Sequence, residues 1–463
     1  MAGIAKIQSM AQSRRQSPLT GPTNGLSIPC LAWKCGYMPC PRPPRCAAGG
    51  RDALTMYRFI QENAPWLAAA TLMTLTSSFG QTFFISIFAG EIRAEFDLSH
   101  GAWGRAYTIG TLASAATMMA IGPVTDRVRV RTLAAIVMIG LSGFSLGMAA
   151  APGAWALPFL IWGLRFCGQG MLSQLPAVAV GRWFRANRGR AIGIAFLGVS
   201  VGQAVYPFVF VSIMAASNWR FAWAMAAVLP LLAIPPLLFW LRRERSPVGQ
   251  TGAAGGAGML GRHWTRGEAL RHWLFWLTFP GFLAQPIFST ALIFHQVHLT
   301  EIKGWSLVAF AALFPLMMFA KIIGLLTAGW AIDRFGIIRV VPLMLAPTAL
   351  GYLILSETAG LTGAAAALLL VGLTTAVISN VHGAFWPDMY GTRNLGALRS
   401  MATAVMVFAS ALGPGIAGYL IDAGVDFRDQ LLGMAAMSIA ACISLGFAMW
   451  RVAPLLPAKG EAA

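Results

Sequence analysis

Residues 122–131 read GPVTDRVRVR, and residues 329–339 read GWAIDRFGIIR. Both segments follow the pattern G-x-x-x-D-R with further arginines after it, and Asp333 follows Asp126 by 207 positions. Each segment comes at the end of a long apolar stretch. A pattern that recurs at matched places in the two halves of a chain indicates that the chain contains one duplicated unit.

The sequence around these two segments is strongly apolar. Hydrophobic residues make up 57% of the chain and charged residues 11%, and the mean hydropathy is +0.66. A soluble domain carries about 25% charged residues, so this composition excludes a water-soluble globule. The apolar stretches are continuous, whereas barrel strands alternate over about 10 residues, so they predict helices that cross a bilayer. The twelve predicted spans are 65–89, 104–124, 132–150, 155–179, 190–215, 219–241, 273–297, 305–330, 340–357, 361–386, 400–421 and 429–452.

Basic residues are distributed unevenly over the predicted loops. Of the 34 Lys and Arg residues, 27 lie in the two tails or in loops after even-numbered spans, and five lie in loops after odd-numbered spans. Because Lys and Arg stay on the cytoplasmic side, we expect both termini and the even-numbered loops in the cytoplasm of an inner (plasma) membrane protein. The net charge of +18 then reflects topology and attraction to the lipid bilayer, and no nucleic-acid partner is expected.

The loop pattern divides the chain into two halves of six spans. Residues 1–56 are rich in Pro, Ser, Arg and Gly, which predicts a disordered cytoplasmic tail, and Met56 offers an alternative start. Four of the six cysteines lie in this tail without the C-x-x-C spacing of a zinc site, so we interpret them as reduced thiols. The other predicted parts are an N-terminal bundle at 57–241, a cytoplasmic linker at 242–272, a C-terminal bundle at 273–452 and a cytoplasmic tail at 453–463.

These motifs give the chain a resemblance to a known family. The segment 122–131 and its second copy resemble the loop motif of the major facilitator superfamily. The segment 165–170 (RFCGQG) resembles the Arg/Gly motif of that family's fourth helix. The resemblance covers residues 57–452. It implies an all-α membrane protein with twelve transmembrane helices in two pseudo-symmetric six-helix bundles, which transports its substrate by alternating access.

Three further features resemble one branch of this superfamily, the monocarboxylate porters and oxalate/formate exchangers. They are residues 79–86 (FGQTFFIS), residues 182–193 (RWFRANRGRAIG) and Lys321. Many monocarboxylate porters carry an acid in the eighth helix and a lysine in the first, where this chain has Met317 and Phe83. Proton symport of the family's usual kind therefore lacks its acidic group, and the coupling stays open between a proton and a counter-anion.

The resemblance implies a gating role for the duplicated loop motifs. In the superfamily they form a latch that holds the cytoplasmic gate closed in the outward-facing state. A carboxylate at such a helix end can accept hydrogen bonds from a neighbouring helix N-terminus and pair with arginine. The alternative is an ordinary cluster of loop charges that sets topology. The predicted gating residues are Asp126, Arg127, Arg131, Asp333, Arg334 and Arg339.

Two basic residues, Arg165 and Lys321, fall inside predicted spans. A charge at a helix centre costs about 2.5–3.5 kcal/mol on insertion scales, yet all 16 acidic residues lie away from span centres. An anionic substrate is the most direct counter-charge. Lys321 is the stronger candidate, because its counterpart in the first half is Ser114 and packing at that place does not require lysine. The alternatives are a neutral or snorkelling lysine and a structural role for Arg165.

Uncharged polar residues complete the predicted pocket. Gln81 and Gln285 lie at matching places in spans one and seven, and an interhelical hydrogen bond is the alternative role for each. The glycine pattern of Gly198 and Gly202, like that of residues 413–418, predicts a close-packed surface on which the halves rock. The predicted substrate-binding residues are Lys321, Arg165, Gln81, Gln285, Tyr206 and Gln203.

The expected function is secondary active or facilitative transport of a small organic anion, a mono- or dicarboxylate. The alternative is efflux of neutral or amphiphilic small molecules, although cation export usually requires a membrane-embedded carboxylate. For His295 and His298 we expect a structural role, with proton handling as the alternative. A membrane enzyme is disfavoured, because no Ser/His/Asp or metal-ligand set is predicted at one depth, and no cofactor or metal is expected.

Overall fold

The computed structural model describes residues 48–121, 124, 128–184, 188–242, 258–391 and 393–456. The chain divides into two compact units, Met1–Tyr57 and Arg58–Ala463, and all twelve predicted spans lie in the second. The predicted tail up to residue 47 lies outside the described residues, and so do Asp126 and Arg127 of the first loop motif.

In the described parts of the chain, twelve long helical segments follow one another, six in each half. Those of the N-terminal half are α1 (Ala48–Ser77, continued by Ser78–Gly80, Thr82–Ile85, Ser86–Phe88 and Ala89–Glu95), α2 (His100–Ile121), α3 (Val130–Ala149), α4 (Leu157–Leu164, Arg165–Leu172 and Ser173–Trp183), α5 (Arg188–Ala216) and α6 (Trp219–Trp240). Those of the C-terminal half are α7 (Trp273–Phe294, followed by Gln296–Lys303), α8 (Leu307–Ala311 and Phe314–Phe335), α9 (Ile337–Val340, Val341–Leu343 and Ala346–Glu357), α10 (Leu361–Tyr390), α11 (Leu395–Asp422) and α12 (Phe427–Val452).

Most of these helices are long and apolar enough to cross a membrane. Among the described residues nine helices satisfy that requirement by length and hydropathy, and the bent α1 makes ten. The other two, α2 and α4, do not satisfy it. Arg105 near the start of α2 lowers the hydropathy of that helix, and the π-helical turn Arg165–Leu172 divides α4 into shorter helices. The all-α membrane fold predicted from the sequence is confirmed.

The two irregular helices, α1 and α4, meet at their irregular points. After Gly80 the chain turns extended at Gln81, and the two parts of α1 meet at 46°. A Cβ added at Gly80 would clash with the backbone of Leu164 and Gly168, and one added at Gly168 would clash with Gly80. The two glycines therefore let α1 and α4 approach backbone to backbone. A π-helical turn at such a place often marks a functional site.

The predicted glycine surfaces are close-packed, and they join different partners. Gly198 and Gly202 pack α5 against α1 within one half, so the prediction that they form a rocking surface is wrong. Gly415 and Gly418 pack α11 against α2 of the other half, where Gly104 provides the matching gap. Small residues on both helices thus set the closest contact between the two halves.

The second part of the predicted linker folds against the C-terminal half. Trp264 donates its backbone N–H to the carbonyl of Tyr390 at 2.9 Å and accepts a hydrogen bond from Asn394 at 2.9 Å. A short helix, Arg266–Arg271, follows, and Thr265 and Glu268 cap it reciprocally. Residues 258–272 therefore extend the base of α10 and α11 and shorten the linker.

Candidate functional site: a central cavity closed at one face

The two ends of the helical bundle differ, and we name them by their loops. The odd-loop face carries the connections after α1, α3, α5, α7, α9 and α11, and the even-loop face carries the other connections. At the odd-loop face the Asp422 carboxylate of α11 accepts hydrogen bonds from the Ser99 hydroxyl at 2.6 Å and the Gly101 backbone N–H at 2.9 Å. Deeper in the same seam, Thr108 donates to the carbonyl of Ala411 at 2.8 Å.

A second seam joins α1 and α7 at the same face. Ser86 donates to the carbonyl of Ile293 at 2.9 Å, and Gln296 donates to the Ser86 hydroxyl at 2.8 Å. The rings of Trp103 and Phe294 stack across the halves with centroids 5.7 Å apart. These two seams join the halves at the odd-loop face, so this face is closed in the part of the chain that the structure describes.

Three histidines from both halves meet at the closed face. His100 of α2 lies 4.2 Å from His298 and 6.1 Å from His295, between ring centroids. His295 Nε2 lies 3.0 Å from the carbonyl of Pro414. Burial lowers the pKa of His100, which precedes span two, to about 3, and the nearby Asp422 opposes that shift. The charged groups around the cluster are Arg93, Glu301, Asp422 and Asp426.

A cavity of about 620 Å³ lies between the halves below this closure. It extends from mid-depth, at Gln285 and Pro286 of α7, towards the even-loop face, where the exposed Arg399 lies near the start of α11. The N-terminal half contributes Gln169. The other lining residues are Thr375, Ile378, Ser379, His382, Gly383, Trp386, Ala402, Thr403, Met406, Val407 and Ser410.

Gln285 is one of the six predicted binding residues and lines the cavity, whereas the other five are not among its described lining residues. Its amide nitrogen lies 3.2 Å from the Ser289 hydroxyl and 3.5 Å from the Thr375 hydroxyl, so it is held by both α7 and α10. Pro286 removes a backbone donor directly after it. Pro286 borders the cavity within the helix α7.

Lys321 is half-buried on α8 and is not among the lining residues of this cavity. Lys321 lies one turn after Met317, which packs on Gly372 of α10. It lies nearly one turn before Gly324, which packs on Ala376 of α10. Its ammonium has no hydrogen bond and no ion pair with any residue that the structure describes. The charge predicted from the sequence is thus present without a carboxylate partner in this part of the chain.

Arg165 is 1% exposed and sits at the break of α1. One guanidinium nitrogen donates to the carbonyl of Gly80 at 3.4 Å and to the Thr82 hydroxyl at 3.2 Å, and the group lies over the Tyr107 ring at 5.2 Å. These contacts satisfy the carbonyl that the broken helix leaves free. No acidic side chain of the described residues pairs with Arg165. Its contacts correspond to the structural role, which the sequence analysis left open as the alternative to a substrate contact.

The other three predicted binding residues lie in the N-terminal half away from the described cavity lining. Gln81 donates to the Ser173 hydroxyl at 3.4 Å, and Tyr206 stacks on Phe79 with ring centroids 4.9 Å apart. Gln203 is half-buried on α5. The structure therefore does not bring the six predicted residues into one pocket.

The predicted gating residues of the second motif are exposed at the even-loop face. Asp333, Arg334 and Arg339 form no ion pair with another described residue, and a Cβ at Gly329 would meet no atom within 4 Å. Arg131 of the first motif lines a groove between α3 and α6. Among the described residues, the second motif is therefore exposed and unpaired.

Sequence reasoning missed the face of α11 that contributes Arg399 and Thr403 to the cavity. The predicted span eleven begins at residue 400 and leaves Arg399 in a loop. In the structure α11 begins at Leu395, so Arg399 lies on the helix. On the extended helix, Arg399, Thr403, Met406 and Ser410 follow the i, i+4, i+7, i+11 spacing of one helix face, and that spacing is the signal that could have found them.

Residues 198–202 read GVSVG, the G-x-S-x-G pattern of hydrolase nucleophiles, which the sequence interpretation overlooked. That pattern requires a sharp strand-to-helix turn that exposes the serine. Here Ser200 lies within the continuous helix α5 and donates to the carbonyl of Phe196 at 3.3 Å. The pattern therefore does not form a nucleophile elbow.

Comparison with known proteins finds relatives in bacteria, archaea and mammals. A protein from Thermoproteus tenax described as an uncharacterized 38 kDa protein is 29% identical and covers 72% of this chain and 82% of its own length. The gallate transporter of Pseudomonas putida is 25% identical, covering 80% and 89%. The monocarboxylate transporter 13 of Bos taurus is 24% identical, covering 66% and 71%.

The fold also matches solved structures. A bacterial homologue of the human lysosomal transporter Spinster, in an inward-facing and unoccupied conformation, superimposes with a TM-score of 0.66 at 17% identity, covering 86% of this chain and 99% of that one. The family model described as Major Facilitator Superfamily matches residues 70–320 and 288–463. Because this match covers nearly all of the described helices, the chain belongs to the major facilitator superfamily of multi-pass membrane transporters.

Proposed function

We propose that this protein is a secondary active or facilitative transporter of a small organic anion, a mono- or dicarboxylate. The observation that carries the proposal is the charge of the central cavity. Arg399 is the charged side chain among its lining residues, and no acidic side chain of the described chain lines it. A fixed cation in a water-filled transmembrane cavity concentrates anions and repels cations.

The two cations inside the helices support the same sign of substrate. Lys321 adds a positive charge behind the α10 wall of the cavity, and in this proposal it stabilises the anion once the cavity closes around it. Arg165 acts as a positioning residue, because it anchors the break of α1 through Gly80 and Thr82. In this proposal Gln285 contacts the substrate directly, whereas Gln81, Gln203 and Tyr206, which do not line the cavity in this conformation, join the pocket when the halves rock.

The proposed orientation places the even-loop face in the cytoplasm of the inner (plasma) membrane, with both termini on that side. The distribution of Lys and Arg supports it. Residues 57–241 then rock against residues 273–452, and the loop motifs with Asp126, Arg127, Arg131, Asp333, Arg334 and Arg339 close the cytoplasmic face. In this orientation the odd-loop closure described above corresponds to an inward-open state.

The relatives point to the same class of substrate. One is named for gallate transport and another for monocarboxylate transport. The coupling is a proton or a counter-anion in this proposal, with Met317 at the place where the branch carries its acid.

Uptake into proteoliposomes tests the proposal. Parent protein, Lys321→Ala and Lys321→Arg are compared on a panel of small carboxylates and their uncharged amides, with imposed pH gradients and with preloaded anions. The proposal requires saturable carboxylate uptake that Lys321→Ala lowers and Lys321→Arg retains. Uptake of the amides in preference to the carboxylates would instead establish the alternative, a transporter of neutral or amphiphilic molecules.

A further inference from the structure

The guanidinium of Arg399 is held in place by only one of its nitrogens. Nη2 donates to the carbonyl of Gly383 at 3.1 Å and to that of His382 at 3.4 Å, both on α10. Nε and Nη1 have no hydrogen-bond partner among the residues that the structure describes, and the side chain is exposed to the cavity. Because arginine presents its donors in a planar fork, the anchored nitrogen orients the group while the others stay available to a carboxylate.

Neutral donors lie beside this charge. Thr403 follows Arg399 by one helical turn, is exposed although it lies well inside α11, and has no hydrogen bond in the described chain. Ser379 of α10 is likewise exposed to the cavity, and its hydroxyl donates to the carbonyl of Thr375 at 2.9 Å. A carboxylate on Arg399 therefore has a free hydroxyl within the same wall.

Two neighbouring residues of this wall, His382 and Trp386, carry rings, and both pack against Phe282, which does not line the cavity. The ring of Phe282 lies 4.7 Å from His382 and 6.0 Å from Trp386. The Trp386 indole N–H lies 3.3 Å from His382 Nδ1, so Nδ1 accepts and a neutral imidazole carries its proton on Nε2. That Nε2 is buried and has no hydrogen-bond partner among the residues that the structure describes. The two rings therefore give the wall an apolar patch that carries an unpaired donor.

We infer that Arg399, Thr403 and the His382–Trp386 pair form a carboxylate subsite at the even-loop mouth of the cavity, selective for an organic monocarboxylate with a flat apolar body. Arg399 takes the carboxylate in a bidentate contact, Thr403 donates to it, and the body packs on Trp386. A second carboxylate on the body would be desolvated against the aromatic wall, which disfavours dicarboxylates. This subsite rests on the proposed function and narrows its substrate class.

Transport kinetics test the subsite with benzoate, acetate and terephthalate as probes. The parent is expected to show its lowest KM for benzoate. Arg399→Gln is expected to raise the benzoate KM about tenfold or more, with Vmax within about threefold, because one charge-assisted contact is lost. Arg399→Lys, which keeps the charge and loses the fork, should fall between the two. Trp386→Leu should raise the KM for benzoate and leave that for acetate unchanged.

The matched control is Arg393→Gln, which removes an exposed cation six residues earlier that does not line the cavity. An unchanged benzoate KM in Arg399→Gln overturns the subsite while leaving the proposed function in place. A parent protein that takes up no carboxylate overturns the proposed function itself. If Arg399→Gln is not recovered as monodisperse protein, Thr403→Val decides: a threefold rise in benzoate KM supports the subsite, and no change overturns it.

Discussion

Replacing Asp422 by alanine should release the closed odd-loop face. Its carboxylate accepts the Ser99 hydroxyl at 2.6 Å and the Gly101 N–H at 2.9 Å, and both donors belong to the other half. Because Asp422 is exposed, we take the ordinary net value of about 1 kcal/mol for each hydrogen bond, or about 2 kcal/mol together. A shift of that size changes the ratio of closed to open odd-loop face by about thirtyfold. Asp422→Asn, which keeps an acceptor, should shift it by about fivefold.

Pulsed electron paramagnetic resonance measures this ratio directly. Spin labels at Ala94 and Ala359, two exposed positions on the odd-loop ends of opposite halves, report their separation in a background without native cysteines. Asp422→Ala should populate a longer distance that is minor in the parent. The control is Asp429→Asn, an exposed acid on the same face that bridges no seam. Identical distance distributions for Asp422→Ala and the parent would refute the reasoning.

Three further predictions follow from the same geometry. Lowering the pH from about 6.5 towards 4 should shift the odd-loop face towards the open state. Burial in the closed seam lowers the pKa of His100, which contacts His298 of the other half, so the open state binds more protons. A His100→Gln variant with the same pH response would contradict this. Gly168→Ala places a Cβ against the backbone of Gly80 and should lower the free energy of unfolding by about 1–3 kcal/mol and the melting temperature by several degrees. The control Gly143→Ala, whose Cβ would meet no atom within 4 Å, should leave the melting temperature unchanged. Equal melting temperatures for the two variants would refute the close contact. Arg165→Met should lower the Vmax of carboxylate uptake with little change in KM, because Arg165 contacts the protein backbone; a selective rise in KM would place it at the substrate instead.

The sequence was sufficient to predict the membrane helices, because continuous apolar stretches are local signals. It did not reveal the break of α1 at Gly80 or the π-helical turn at Arg165. Those features result from the close approach of α1 and α4, which no periodicity in either helix records. The fold of residues 258–272 was readable in principle, since Thr265-x-x-Glu268 has the spacing of a capping box.

The site was predicted only in part, for a related reason. Gln285 and Pro286 were found because an internal repeat marks them, and they line the cavity. Lys321 was chosen for its depth in a helix, but depth does not determine which side of the helix faces the cavity. Arg399 was missed because the apolar stretch that defines span eleven begins after it. A helix can extend beyond such a stretch when the charged residue at its end faces water.

The central claim is that the cavity of this transporter selects a negatively charged guest. Isothermal titration calorimetry of the purified parent with benzoate and benzamide, two ligands of nearly equal shape that differ in charge, tests it most directly. We predict measurable benzoate binding and benzamide binding at least about tenfold weaker, a difference of about 1.4 kcal/mol. Equal affinities, or tighter binding of benzamide, would contradict the account.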